Sequence, residues 1–462
     1  MFAKINLSKG GSLSTGEQRF ILPALTQVDK IVGIGIFLYW QIYENVIFLY
    51  PENFGGVTFL GLVYFFKLAF PFLLFVYASF NGLVIPKPPE VKIYVLLFLA
   101  FLIWSVVPTI IGGDLINWVK LLPLIFFFCS ALSIFIKRPQ IIVFLIKLII
   151  AISVFSLLQY MGVMITGIYE SRVPGSISLT GPLGLFGVTS GNFYLPGIDN
   201  PIIRLGGFWK EPSNASGVNF ACFFLARYLY KIENKTKWYY ISFISLTAGF
   251  LSLSNAGYLA LACGGLVSVV LNFKQFSVGQ KSISIAFFMP ILIGLLWMAM
   301  FSRSYLASTQ SENNFLLAVA GVRVNSYDDP NYDPSSGRLE LLESVFQGGI
   351  KNIIGEGVQQ VGDKTKLVVP ASAPFFWLTL TGYIGFVLII LREIFVFFGT
   401  LRLNRIYPTS IYIVQAYIVV LVQQSIYGVW MDPNYLIMVA FVFSLLSIKS
   451  KEIINYSSSD SN

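Results

Sequence analysis

A chain of 462 residues that is 56% hydrophobic, 16% aromatic and only 11% charged, with a mean hydropathy of +0.74, carries more apolar surface than a soluble domain can hide, and its class is polytopic integral membrane protein. Histidine is absent, which excludes imidazole acid–base catalysis and argues against a zinc site. The formal charge of +9 sits in the connections between apolar runs, where it reports topology and not a nucleic-acid footprint.

The first 26 residues are polar and glycine-rich. They lack an apolar core followed by a small-residue cleavage site, so no cleavable signal peptide is expected there. From there the sequence predicts about twelve transmembrane helices, near 29–50, 57–80, 92–112, 115–136, 141–167, 214–231, 238–253, 256–273, 283–301, 374–399, 408–430 and 433–448. The expected fold is therefore an all-α polytopic membrane protein. Cys129, Cys222 and Cys263 fall inside these runs and read as small core residues, not disulfides or metal ligands.

Lys and Arg set the orientation. One set of connections carries Lys87 and Lys92, Lys137 and Arg138, Arg227 to Lys237, Lys274 and Lys281, and Arg402 and Arg405, and both termini share this basic character. The alternate short connections near 51–56, 112–115, 253–256 and 431–432 carry neither Lys nor Arg. The basic set, with both termini, is expected in the cytoplasm.

Two long loops then lie outside, 168–213 and 302–373, and together they hold Arg172, Arg204, Lys210, Arg303, Arg323, Arg338, Lys351, Lys364 and Lys366. The first is Gly-, Ser- and Pro-rich and reads as irregular structure. The second has an acidic turn around Asp328, Asp329 and Asp333, which reads as a solvated turn. An amphipathic helix follows near 338–354, with Leu339, Leu342, Val345, Phe346, Ile350 and Ile353 at near-helical spacing. Its expected end is at Gly355-Glu356-Gly357. Charges within the spans are few: Glu44, Lys67, Lys120, Lys147, Arg392 and Glu393. Lys147 and Arg392 read as side chains that reach back to a span end, whereas Lys67 and Lys120 lie deeper and are candidates for function.

The densest polar stretch of the chain is Arg204-Leu-Gly-Gly-Phe-Trp-Lys-Glu-Pro-Ser213. Two cations, a carboxylate, two glycines and two aromatics at a membrane boundary suggest a site for an anionic, polar substrate. Arg204-x-x-Gly207-x-Trp209-x-Glu211-Pro212-Ser213 resembles the first outer-loop motif of the O-antigen polymerases of the Wzy type. Leu253-Ser254-Asn255-Ala256-Gly257-Tyr258 resembles that family's Ser-rich helix opening, with Asn255 where a basic residue is common. Ser336-Gly337-Arg338-Leu339 and Gly355-x-Gly357 resemble the two ends of its second large loop. The resemblance spans roughly 200–450, and the first five spans share only hydrophobicity.

The resemblance implies a GT-C-like fold and a location in the bacterial inner membrane. It implies an enzyme that joins undecaprenyl-pyrophosphate-linked oligosaccharide repeats at the outer face, with lipid pyrophosphate as leaving group. A chain-length regulator is the implied protein partner, and neither cofactor nor metal is expected. In such a reaction Arg204 and Arg338 would hold the pyrophosphate, because the guanidinium fork matches phosphate oxygens and stays charged, with Lys210 and Arg303 in support. Glu211 would act as base or orient the attacking hydroxyl; a structural ion pair with Arg204 or Lys210 is its other role. Trp209, Tyr194, Phe208 and Trp377 could stack on sugars, although interfacial aromatics also anchor spans.

Two alternatives stand beside this. The related O-antigen ligases use a histidine in the second large loop, and its absence here argues against a ligase. A lipid-linked oligosaccharide flippase would fit twelve spans, but its functional charges should lie inside them.

Overall fold

Inside a bilayer every backbone N–H and C=O needs an internal partner, so long apolar runs fold as helices. The computed structural model describes residues 24–44, 57–84, 86–112, 115–119, 121–166, 212–252, 254–272, 351–357, 373–427 and 430–459. Among the described residues every regular element is helical and no β-strand occurs. In order they are α1 (Gln27–Glu44), α2 (Val57–Phe80), α3 (Pro89–Gly112), α4 (Leu115–Val119), α5 (Leu122–Lys137), α6 (Gln140–Thr166), α7 (Pro212–Glu233), α8 (Thr236–Leu251), α9 (Asn255–Asn272), α10 (Lys351–Ile354) and α11 (Ala373–Ile406). A 3₁₀ turn (Pro408–Ser410) then leads into α12 (Ile411–Tyr427) and α13 (Pro433–Ser459).

Among the described residues four stretches are long and apolar enough to cross a membrane: Pro89–Gly112, Gln140–Leu158, Phe376–Ile406 and Pro408–Ile426. Phe65–Phe80, Leu122–Lys137, Ala256–Leu271 and Pro433–Ile448 are apolar but shorter. The expected span at 283–301 lies outside the described residues. The run at 115–136, expected as one span, is two helices. Pro123 sits in the first turn of α5, where a missing N–H is harmless, but it cannot donate back to Val119 and so cannot extend α4.

Packing follows side-chain size. α3 lies along α11, α7 along α8 and α12, α9 along α12, and α5 between α2 and α13. Glycines let backbones close on neighbours in the α7 group. A Cβ at Gly249 would lie 2.4 Å from the Phe220 ring, and one at Gly264 would lie 2.7 Å from Val419, the small-residue contact common between membrane helices. The opposite faces are apolar and open. Leu96, Leu99, Ile103 and Ile110 on α3 and Ile384, Val387, Leu391 and Ile394 on α11 are exposed at helical spacing, as a lipid-facing stripe is.

Charged residues gather at one end of the bundle. Arg138 pairs with Asp29 at 2.5 Å, Lys147 with Glu233 at 2.5 Å and Arg402 with Glu90 at 3.0 Å. Lys137 donates to the carbonyls of Asn81 and Gly82 at the end of α2. Lys147 therefore does reach a helix end, where the Glu233 carboxylate also accepts from the Trp238 indole at 2.9 Å. Burial raises the pKa of Glu233, but Lys147 and this hydrogen bond outweigh it and hold the carboxyl below its usual range.

At the other end α11 is broken. Gly382 has φ +65° and ψ −172° inside an otherwise helical run. A break leaves carbonyls of the preceding turn without their i+4 donors. Here the Thr379 carbonyl accepts from Glu356 N–H at 3.0 Å and the Leu380 carbonyl from Gly357 N–H at 2.9 Å. The Thr381 carbonyl accepts from the Trp104 indole at 2.8 Å. The segment after α10 thus replaces the missing helical bonds, and the helix stops at Ile354 because Gly355 takes φ +89°. The two glycines touch: a Cβ on Gly382 would lie 2.3 Å from the Ile353 carbonyl oxygen, and one on Gly355 would lie 2.5 Å from Gly382 N. Gly382→Ala is therefore expected to lose about 2–3 kcal/mol, from a left-handed backbone and overpacking together. A thermal melt in detergent checks this. An unchanged midpoint would show that the break is not held by this contact.

Candidate functional site

An ionisable side chain inside a span is a candidate for function because its desolvation is costly. Arg392 sits in the apolar stretch Phe376–Ile406 and is fully buried, with Glu393 9% exposed. Consecutive residues on a helix point about 100° apart, so the two meet only because Arg392 bends across. Its Nε and Nη2 both donate to Glu393 Oε1, at 2.9 and 2.7 Å. Nη2 also donates to the Trp430 carbonyl at 2.7 Å. The other carboxylate oxygen, Oε2, accepts from Tyr417 Oη at 3.3 Å and from Tyr435 Oη. The guanidinium lies 5.4, 5.1 and 5.9 Å from the ring centres of Tyr94, Phe98 and Tyr435, within cation–π range. α3, α11, α12 and α13 each contribute to this cage. Two polar atoms in it, Arg392 Nη1 and Tyr94 Oη, are buried without a partner among the described residues.

The Trp430 carbonyl comes from the turn between α12 and α13. Trp430 has φ +50°, a left-handed conformation that a bulky residue adopts only when its surroundings impose it. Those surroundings are visible. Arg392 takes its carbonyl, and its indole donates to Ser425 Oγ at 3.0 Å. Asp432 follows, half-buried, at the N-cap of α13. Its carbonyl accepts from Leu436 N–H at 3.0 Å, and Pro433 takes the first helical position, as is common at helix starts. Burial pushes the Asp432 carboxyl up to about 7, against the opposing charge of Lys67 on α2.

The same end of the bundle holds the start of α7. Gln423, near the end of α12, donates to Asn214 Oδ1 at 2.6 Å. Ser216 donates to the Gly249 carbonyl at 3.3 Å. The first turn of α7 is thereby tied to α12 and α8. Asn219, one turn further in, is fully buried, and both of its amide atoms lack a partner among the described residues.

No family model matches this chain. No characterised protein matches it either.

The residues singled out in the sequence fare unevenly. Arg204, Glu211, Arg338, Lys210, Arg303, Trp209 and Tyr194 lie outside the described residues, as do Phe208 and Lys120. Trp377 is 2% exposed and packs edge-on against Phe101 and Phe376, with ring centres 5.0 and 4.9 Å apart. It is a core residue and offers no face to a sugar. Arg392 reaches the turn at the end of α12 through the Trp430 carbonyl, but its guanidinium is buried there and does not emerge from the span. It is held in the interior because Glu393, Trp430 and three rings converge on it from elements far apart in the sequence. Asp432 is absent from the residues that sequence reasoning selects. The available signal is an Asp-Pro step opening the last helix in a turn otherwise free of charge.

Proposed function

We propose that this chain is a membrane-embedded polymerase that joins undecaprenyl-pyrophosphate-linked oligosaccharide repeats at the outer face of a bacterial inner membrane. In this reading the chain has twelve spans, both termini in the cytoplasm and the loops 168–213 and 302–373 outside. A hydroxyl of one carrier-linked repeat attacks the anomeric carbon of the growing chain, and undecaprenyl pyrophosphate leaves. Arg204 and Arg338, assisted by Lys210 and Arg303, stabilise charge developing on the pyrophosphate, which preorganised cations do well in a partly dry site. Trp209 and Tyr194 contact sugars. No divalent metal takes part.

The observation that carries this reading is the junction at Pro212. The motif ending Lys210-Glu211 continues directly into Pro212, the first residue of α7. The first turn of that helix is tied to α12 and α8 by Asn214 and Ser216. A helix N-terminus favours anions through its free N–H groups and dipole, so a loop that brings Arg204 and Lys210 to that point suits a pyrophosphate. The missing histidine keeps a ligase the weaker relative of this proposal.

The test is incubation of the purified protein in detergent with a lipid-linked repeat unit, with and without EDTA, and electrophoresis of the product. A ladder in both lanes is the expected result. Absence of any ladder from folded protein overturns the proposal, and a ladder lost with EDTA and restored by Mg²⁺ overturns its metal-free part. A second reading has an observation of its own: a buried ion pair such as that of Arg392 and Glu393 is what a lipid-linked oligosaccharide flippase would place in its interior. A flippase moves substrate across sealed vesicles and makes no ladder.

A further inference from the structure

We infer that the cavity enclosed by α1, α6, α7, α12 and α13 is a binding site for one water molecule, held between the indole N–H of Trp40 and the side-chain amide of Asn434. The site is independent of the polymerase reading. All five helices line the cavity, with Trp40, Ile149, Ala221, Val420 and Asn434 among the lining residues. None of these five is more than 8% exposed, so the cavity lies inside the bundle. The space open to the centre of a water molecule is about 10 Å³, the measure of a single water. An acyl chain or a sugar does not fit there.

Size alone does not decide the occupant, since a cavity with purely apolar walls stays dry. The polar groups decide it. Trp40 Nε1 is buried and has no hydrogen-bond partner among the described residues. An indole N–H can only donate, and leaving it bare in apolar surroundings is costly. The carbonyls of the surrounding helices are occupied by their own N–H groups four residues on. That leaves Asn434, whose amide also has no hydrogen-bond partner among the described residues. Trp40 and Asn434 border one cavity without bonding each other. Two such groups across a water-sized gap are what a bridging water joins. The water accepts from Trp40 Nε1–H and donates to Asn434 Oδ1, which gives it the two partners a buried water needs at least.

The bridge runs from α1 to α13. Asn434 is the second residue of α13 and stands four residues after Trp430, whose carbonyl Arg392 holds from α11. The water therefore fastens α1 to the start of the helix whose leading turn the buried arginine already fixes.

The test uses the whole chain in detergent, isotopically labelled only in its tryptophans, with water itself as the probe. Magnetisation is transferred from water protons to indole protons, and the indole signal missing from Trp40→Phe identifies Trp40. A cross-peak between a bound water and the Trp40 indole proton is expected. Asn434→Leu should abolish it, and so should Ala221→Val, which fills the cavity. If Trp40→Phe does not fold, the indole signal that moves in both other variants identifies Trp40. Absence of the cross-peak in wild-type protein overturns the proposal. A cross-peak that survives Ala221→Val also overturns it, because that water then lies elsewhere. Thermal melts add a readout of opposite sign for the two cases. Ala221→Val should lower the midpoint, since it expels the water and leaves the Trp40 donor bare. A raised midpoint is the result for a dry cavity that gains by being filled, and it overturns the proposal.

Discussion

Glu393→Gln is expected to cost about 3–5 kcal/mol of stability, because it leaves a fully buried guanidinium without its counter-charge. Arg392 has 0% exposure, and two of its hydrogen bonds end on Glu393 Oε1. A glutamine would return one carbonyl oxygen to those donors but no charge. It would also present an NH₂ to the hydroxyls of Tyr417 and Tyr435, which now donate to Oε2. Arg392→Met should be milder, since the remaining carboxylate keeps both tyrosine donors and can take up a proton. Combining Arg392→Met with Glu393→Leu should recover most of the stability, as buried ion pairs replaced by apolar residues of similar volume commonly do. Thermal melts of the three variants in one detergent decide it. Equal losses in all three would mean that the cage holds together through its rings and not its charges. If the double variant melts like wild type but has lost activity, the pair serves function and not folding.

The parts of this molecule legible in the sequence are those fixed by local chemistry. The apolar runs mark the helices. The Gly355-Glu356-Gly357 step marks the end of α10, and Glu211-Pro212 marks the start of α7. Pro123 is a readable helix start, but the hydrophobicity of 115–136 on both sides of Lys120 masks it. Gly382 is not readable. A glycine within a span is common, and what makes this one a break is the segment 353–357 arriving from another part of the chain. The cage around Arg392 is hidden for the same reason. Tyr94 precedes it by some three hundred residues, whereas Trp430 and Tyr435 follow it, and no periodicity announces that they meet. Snorkelling is the sensible reading of an arginine about two turns from the end of the expected span at 374–399. The sequence does record that Arg392 and Glu393 are adjacent and opposite in charge, and within a span that is the clue to weigh more heavily.

The largest effect on activity is expected at Arg204 and Arg338, the proposed clamp on the leaving pyrophosphate. They belong to different loops, and two phosphates need more than one cation, so the proposal requires them to converge on one outward cavity. Alanine at either position should cost about 3–4 kcal/mol of transition-state stabilisation, roughly a hundredfold or more in rate, by analogy with the loss of an oxyanion donor. Lysine keeps the charge but loses the planar fork, so Arg204→Lys and Arg338→Lys should also be impaired where the contact is bidentate. Expression and insertion should be unchanged, since neither residue lies in an expected span. Lys364→Ala is the control: a loop cation with no motif around it, expected to be near neutral. The measurement is the polymer length profile from cells carrying each variant, alongside the initial rate with a lipid-linked repeat in detergent. Wild-type ladders from both arginine variants, with loss of the ladder in Lys364→Ala, would place the leaving group on different cations. A rate that falls for Arg→Ala but not for Arg→Lys would keep the site and replace the bidentate fork with a simple point charge.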